Sequence, residues 1–99
     1  MVKFHNYYVY ILKCSDNTYY TGVTNNIERR FQEHQQGDNK SSYTFYRRPL
    51  KLVFYTEFSN IEFAIEKEKQ IKKWSKQKKE ALINGAYHLL PNLSKKEFS

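Results

Sequence analysis

Three short segments of the chain alternate apolar or aromatic residues with polar ones, and turn residues bound each of them. This pattern is typical of β-strands. It predicts strands at Tyr7–Lys13, Thr18–Thr24 and Lys51–Phe58. The residues Cys14–Asn17 between the first two strands favour a tight turn, so we expect these strands to form a hairpin. In the third strand, Leu52, Phe54 and Thr56 are expected on one face because side chains alternate along a strand.

Helical periodicity and polar cap residues account for most of the remaining chain. They predict helices over Ile27 to about Gln36, about Asn60 to Trp74, and a short segment through Ile83. The expected caps are Asn25 or Asn26 for the first helix, Ser59 with Glu62 as a capping box for the second, and Ser75 for the third, with Gly37 and Gly85 as closing residues. The order β-β-α-β-α-α predicts an α/β sandwich of the α+β type, in which helices flank a small three-stranded sheet.

The 99 residues fit one domain, which we expect to span residues 1–85. Residues 86–99 are expected to form a C-terminal tail whose leucines dock on the domain. The stretch Asp38–Pro49 is polar and irregular, which predicts a mobile loop. A single cysteine, Cys14, excludes a disulfide framework and a zinc site built on paired cysteines. An unpaired thiol and the lack of any apolar run of about 20 residues favour a cytoplasmic protein without a membrane span.

The formal net charge is +7. A small basic domain often binds a polyanion, because each phosphate that it neutralises releases counterions. A lysine-rich surface also serves solubility, so the charge alone leaves both interpretations open.

The first helix places two polar residues on its apolar side. At about 100° per residue, Arg30 and His34 share one stripe with Ile27 and Phe31, whereas Arg29 lies opposite. A charged residue on an apolar stripe needs a partner. The alternative is that Arg30 extends along the edge of the stripe to water and that His34 is an ordinary border histidine.

The second helix carries an acidic residue within its apolar stripe. Glu68 lies near the middle of a stripe formed by Ile61, Ala64, Ile65 and Ile71. A carboxylate there is costly unless it pairs, binds a metal or lines a cleft. Lys72, four residues further along, makes a Glu68–Lys72 ion pair the structural alternative.

The hairpin adds two phenols. If its turn centres on Asp16, then Tyr10 lies opposite Gly22, and Tyr10 and Tyr20 point from the same face of adjacent strands. Ordinary aromatic packing would also explain the two tyrosines. A single pocket that receives both hydroxyls, the arginine, the histidine and the glutamate would explain all five residues at once.

The ordered motifs that contain these residues resemble the GIY-YIG nuclease superfamily, and within it the small stand-alone bacterial UPF0213 group. The resemblance covers roughly residues 6–84. It is carried by the segments Val9-Tyr10-Ile11, Tyr20-Thr21-Gly22, Arg30 to His34, and Ala64 to Lys72. Two positions depart from the family pattern: Tyr8 stands where the family usually has Gly, and Val23 stands where some members have Lys.

The resemblance implies metal-dependent hydrolysis of a DNA phosphodiester. We expect this nuclease to be directed to structured or damaged DNA in repair or recombination. Tyr10 would then activate water and pass a proton to His34, and Tyr20 would position the nucleophile or the phosphate. Arg30 would stabilise the phosphate charge and lower the pKa of Tyr10. Glu68 would hold one divalent cation, Mg²⁺ or Mn²⁺. The expected contacts to the DNA backbone are Arg47, Arg48, Lys72, Lys73 and Lys76.

Two other functions remain open at this point. The first is a catalytically silent nucleic-acid-binding module, which would need the basic surface but not the inward polar residues. The second is a subunit of a larger DNA-processing complex, in which a protein partner supplies specificity.

Overall fold

The three predicted strands form one antiparallel sheet in a computed structural model that describes residues 6–85. The strands are β1 (Tyr7–Lys13), β2 (Tyr19–Thr24) and β3 (Lys51–Phe58), in the spatial order β2-β1-β3. The helices are α1 (Ile27–Gln36), α2 (Ile61–Lys72) and α3 (Lys76–Ile83), with a 3₁₀ turn at Phe45–Arg47 between α1 and β3. The element order and the α+β class are therefore confirmed.

The hairpin has the register that its turn residues predict. Leu12 pairs with Tyr20, and Tyr10 pairs with Gly22. Asn17 takes a positive φ of 66° in the turn, a conformation that asparagine tolerates better than most residues. Because this register sets the face of every side chain in β1 and β2, it also places Tyr10 and Tyr20 on the same face.

The sheet has two differently covered faces. Helices α2 and α3 cover the first, which we call the α2/α3 face, and its apolar core consists of Val9, Ile11, Ala64, Ile71, Trp74, Ala81 and Leu82. Glu68 of α2 and Lys78 of α3 are buried as well. Helix α1 covers the second, the α1 face, with buried Tyr10, Leu12, Cys14 and Leu50 against half-buried Tyr20, Ile27, Phe31 and Leu52. The predicted apolar side of α1 is thus confirmed.

A β-bulge divides the third strand between the two faces. Ile11 pairs with Phe54, but the next residue, Leu12, pairs with Leu52, so Val53 is an extra residue in β3. Phe54 packs on the α2/α3 face and Leu52 on the α1 face. The prediction that Leu52 shares a face with Phe54 is wrong, because the extra residue reverses the alternation.

Most of the predicted helix caps are present. Asn26 caps α1, Gly37 ends it in the left-handed conformation at φ 71°, and Ser75 caps α3. The capping box at Ser59 is wrong. Asn60 is the cap of α2, and its side-chain oxygen accepts from the Glu62 backbone N–H at 2.8 Å.

Helix α2 ends at Lys72, two residues before its predicted end, and it turns a narrower stripe to the sheet than expected. Its buried residues are Ala64, Glu68 and Ile71, and they follow helical spacing. Ile61 and Ile65 are exposed, so placing them in the buried stripe was wrong. The inward position of Glu68 is confirmed.

The tail prediction lies outside the described residues, so the boundary at residue 85 stays a prediction. Within residues 6–85, no helix is long and apolar enough to cross a membrane.

Candidate active site

Tyr10 lies in the middle of the central strand, where its ring is buried between the sheet and α1. Its hydroxyl extends over Gly22 of the neighbouring strand. A Cβ at position 22 would collide with that hydroxyl and would lie 2.6 Å from the Tyr10 Cζ. Gly22 therefore provides the space into which the phenol extends, and any other residue there would displace it.

A chain of hydrogen bonds begins at this phenol. The Tyr10 hydroxyl lies 2.9 Å from His34 Nε2, and His34 Nδ1 lies 2.9 Å from the Thr44 hydroxyl. The Thr44 hydroxyl is in turn 3.0 Å from that of Ser42. Both ring nitrogens of His34 are thus engaged, which fixes the imidazole plane against the phenol.

Two more of the predicted residues surround the same histidine. The Tyr20 ring packs edge-on to His34 with centroids 5.2 Å apart, and it lies 6.3 Å from the Tyr10 ring. Arg30 donates from Nε to Glu33 Oε1 at 3.1 Å. Tyr20, Arg30 and His34 all line one cleft of about 360 Å³ that opens between α1 and the loop before β3. The cleft therefore combines a phenol, a guanidinium and an imidazole, which suit a phosphate group, with the carboxylates of Glu33 and Asp38.

The proton-binding properties of Tyr10 and His34 shift in opposite directions. Burial raises the pKa of Tyr10 well above its usual value; the nearby Tyr20 and Glu68 add to this effect, and the charge of Arg30 opposes it. Burial and the charge of Arg30 lower the pKa of His34, against a smaller opposing effect of Glu33. The expectation that Arg30 leaves Tyr10 with a lowered pKa is wrong for the protein alone, because burial outweighs the guanidinium. Near neutral pH, a neutral phenol faces a neutral imidazole.

Glu68 lies on α2 and is not among the residues that line this cleft. Its charge raises the pKa of Tyr10, which places the carboxylate within electrostatic reach of the phenol. Its Oε2 atom lies 2.7 Å from the Lys72 ammonium, so the alternative ion pair does form. The side chain of Lys72 is 51% exposed and that of Glu68 is 12% exposed. The pair therefore lies at the edge of the protein, where Lys72 can move into water.

The residues present fit a cation that is held by one carboxylate. Among residues 6–85, no group of three or more His, Cys, Asp or Glu side chains could hold a metal ion. Mg²⁺ commonly binds through one or two carboxylates with waters and substrate phosphates, and Glu68 would suffice for such a site.

The five predicted DNA contacts divide into two kinds. Lys72, Lys73 and Lys76 are exposed at the end of α2 and the start of α3. The two arginines hold the loop in place. Arg47 donates to Asp16 Oδ2 at 3.1 Å and to the Tyr43 carbonyl at 2.7 Å, and Arg48 donates to the Phe45 carbonyl at 2.8 Å.

Sequence reasoning missed Thr44 and the burial of Lys78. Thr44 lies in the stretch that was expected to be a mobile loop, yet it is buried beneath His34. No local pattern marks it, because its partner is ten residues away on α1. Lys78, one of the seven lysines between positions 67 and 79, is only 1% exposed, and its ammonium lies 4.0 Å from the centroid of the Trp74 ring. It therefore belongs to the interior and not to the basic surface.

This combination of a three-stranded sheet, two tyrosines, an arginine, a histidine and an inward glutamate defines a class of protein. A family model described as the GIY-YIG catalytic domain matches residues 6–81. The chain therefore belongs to the GIY-YIG family, and membership of this family suggests a nuclease.

The relatives narrow this class to the small UPF0213 proteins, as the sequence predicted. A UPF0213 protein of Syntrophus aciditrophicus is 50% identical over 76 residues, which cover 77% of this chain and 87% of the relative. One from Natronomonas pharaonis is 44% identical over 78 residues, which cover 79% of this chain and 91% of the relative.

Two solved structures are similar as well. The solution NMR structure of a UPF0213 protein from Bacillus halodurans has a TM-score of 0.54 at 36% identity, and covers 95% of this chain and 99% of that one. An NMR structure of a protein from E. faecalis has a TM-score of 0.57 at 33% identity, and covers 89% of this chain and 90% of that one.

Proposed function

We propose that this protein is a metal-dependent DNA endonuclease that hydrolyses phosphodiester bonds. The observation that carries the proposal is the 2.9 Å contact between the Tyr10 hydroxyl and His34 Nε2, at a cleft that Tyr20 and Arg30 also border. A buried phenol that faces a neutral imidazole is an arrangement for moving a proton. The guanidinium beside it is an arrangement for holding an anion.

This geometry supports a specific role for each side chain. Tyr10 transfers its proton to His34 Nε2, and the resulting phenolate accepts a proton from the attacking water. The water oxygen then bonds to phosphorus while the bond from phosphorus to the leaving oxygen breaks, and the leaving oxygen takes up a proton from solvent water. Arg30 stabilises the charge that develops on the phosphate oxygens, and Tyr20 positions the phosphate or the water.

Glu68 is the proposed cation ligand. A bound Mg²⁺ or Mn²⁺ would neutralise phosphate charge and favour the phenolate form of Tyr10. Glu68 would have to exchange its bond with Lys72 for this role, and the exposed lysine is free to turn toward the DNA backbone. Lys73 and Lys76 lie on the same surface and would bind phosphates without reading sequence.

We further propose that the substrate is a structured or damaged DNA of the kind that arises in repair or recombination. The candidate contacts to DNA in the domain are directed to phosphates, which carry no base information. Recognition of a DNA shape would therefore have to come from the cleft and its surrounding loop. Arg47 and Arg48 would contribute chiefly by holding that loop, with Arg47 exposed enough to reach a phosphate.

One observation favours a second function. The 2.7 Å bond between Glu68 and Lys72 neutralises the only predicted metal ligand. If that ion pair persists on DNA, then the protein is a binding module without catalysis, alone or as a subunit of a larger complex.

A nuclease screen separates the two functions. Branched, nicked, flapped and single-stranded DNA would be incubated with the protein in Mg²⁺, in Mn²⁺ and in EDTA, with Glu68→Ala as the blank. We expect cleavage of at least one substrate that requires the cation and disappears in Glu68→Ala, while DNA affinity is kept. Binding without any metal-dependent cleavage would overturn the enzyme and support the binding module.

A further inference from the structure

The loop between α1 and β3 exposes two tyrosines beside the cleft. The Tyr46 residue is 85% exposed, the largest value among the exposed large hydrophobic residues of positions 6–85, and Tyr43 is 42% exposed. We call these two side chains the aromatic rim. Neither takes part in the hydrogen-bond chain from Tyr10, so the chemistry proposed above leaves them unexplained.

Ring contacts connect the aromatic rim to the cleft. The Tyr43 ring stacks on Tyr20 with centroids 6.2 Å apart and planes inclined by 23°. The Tyr46 ring packs edge-on to Phe45 with centroids 4.6 Å apart. Because Tyr20 and Phe45 both line the cleft, the rim adjoins the position proposed for the scissile phosphate.

Tyr43, one of the two rim residues, is held in place although it is exposed. The Arg47 guanidinium lies 3.8 Å from the centroid of the Tyr43 ring and donates to Asp16 in the hairpin turn at 3.1 Å. The Ser15 backbone N–H donates to the Arg47 carbonyl at 2.9 Å. Rings that are fixed before binding lose little conformational freedom when a ligand stacks on them, which increases affinity.

We propose that the aromatic rim stacks on unpaired nucleobases, so that the preferred substrate is DNA with a single-stranded stretch next to the cleavage position. The inference rests on the proposed function and specifies its substrate. Bases within a duplex stack on each other and present only their edges to a protein, whereas an unpaired base offers a whole face to an aromatic ring. The net charge of +7 suits a polyanionic partner.

The test compares oligonucleotide binding by three variants. Fluorescein-labelled oligothymidylate and a duplex of equal length would be titrated in EDTA and followed by fluorescence anisotropy. Tyr46→Ala should weaken binding to the single strand about tenfold, the typical effect of losing one stacked base, and binding to the duplex less than about twofold. Tyr46→Phe keeps the ring and should bind as the unchanged chain does. Tyr55→Ala removes another exposed tyrosine, on β3, and should change neither affinity.

Each result of these titrations either supports or overturns base stacking on the aromatic rim. Equal losses on both DNAs, or no loss on either, would overturn the inference. The second of these results is also expected if the rim docks a protein, since tyrosine is enriched at protein interfaces. Because binding is measured without a cation, failure here is distinct from failure of the proposed function. A chain that binds single strands through Tyr46 and cleaves nothing would support the rim and overturn the nuclease.

Discussion

The two faces of the sheet are built from the same strands but differ in what they bury. On the α2/α3 face, the side chains of Val9 and Ile11 meet an apolar layer from the two helices. On the α1 face, the intervening Tyr10 meets His34 and Thr44. Alternation along one strand thus places apolar side chains in one layer and the Tyr10 hydrogen-bond chain in the other. We therefore expect substitutions on the two faces to act on different properties.

The largest effect is expected from removing one hydroxyl on the α1 face. In Tyr10→Phe, the rate of DNA cleavage should fall about 10²–10⁴-fold, as is typical when a general base is lost. The free energy of unfolding should change by only about 1 kcal/mol, because one hydrogen bond is removed. Single-turnover cleavage and urea unfolding measure the two quantities. Full activity in Tyr10→Phe would reassign the base to His34.

A substitution of similar burial on the α2/α3 face should show the reverse pattern. Ile71→Ala removes a fully buried side chain of α2, and should lower the free energy of unfolding by about 2–5 kcal/mol. Cleavage per folded molecule should stay unchanged, which is measured at a temperature where the variant remains folded. A lower cleavage rate per folded molecule in Ile71→Ala would show that the two faces do not act on separate properties.

A smaller effect on the cleavage rate is expected at Thr44, whose hydroxyl is hydrogen-bonded to His34 Nδ1. Thr44→Val keeps the shape of the side chain and removes the hydrogen bond, so cleavage should slow by about tenfold, equivalent to roughly 1.4 kcal/mol. Thr44→Ser restores a hydroxyl and should recover most of the rate. If Thr44→Val and Thr44→Ser cleave at the same rate, then Thr44 contributes packing and not a hydrogen bond.

The smallest effect is a displacement of the pH profile. Because the pKa of His34 is lowered from its usual value of 6.5, mainly by burial, the neutral imidazole should persist to more acidic pH than in a free histidine. The acidic limb of the cleavage rate should then lie below about pH 6.5. The same group makes the fold less stable as the pH falls from the unfolded-state pKa through the lowered folded-state pKa. A limb at or above 6.5 would contradict the burial of His34.

The sequence predicted those features that depend on local alternation and spacing. The Tyr10–Gly22 register follows from the turn between the two strands, and the inward position of Glu68 follows from helical periodicity. Features that depend on contacts between distant segments were missed. The bulge at Val53 is set by how β3 pairs with β1, and Thr44 acquires its role only when the loop folds over His34.

The direction of the Tyr10 pKa shift belongs to the same group of missed features. The sequence identifies Arg30 as a neighbour, and this correctly predicts one effect that lowers the pKa. The extent of burial is a property of the assembled fold, and it proves to be the larger effect.

The central claim is that the inward carboxylate of Glu68 on α2 acts together with the polar residues of the α1 face as a hydrolytic centre. The most direct measurement is the Mg²⁺-dependent cleavage rate of Glu68→Ala beside that of Glu66→Ala, which removes an exposed carboxylate from the same helix. We predict that Glu66→Ala cleaves as the unchanged chain does, and that Glu68→Ala binds the DNA but leaves it intact. Equal cleavage by the two folded variants would contradict the account.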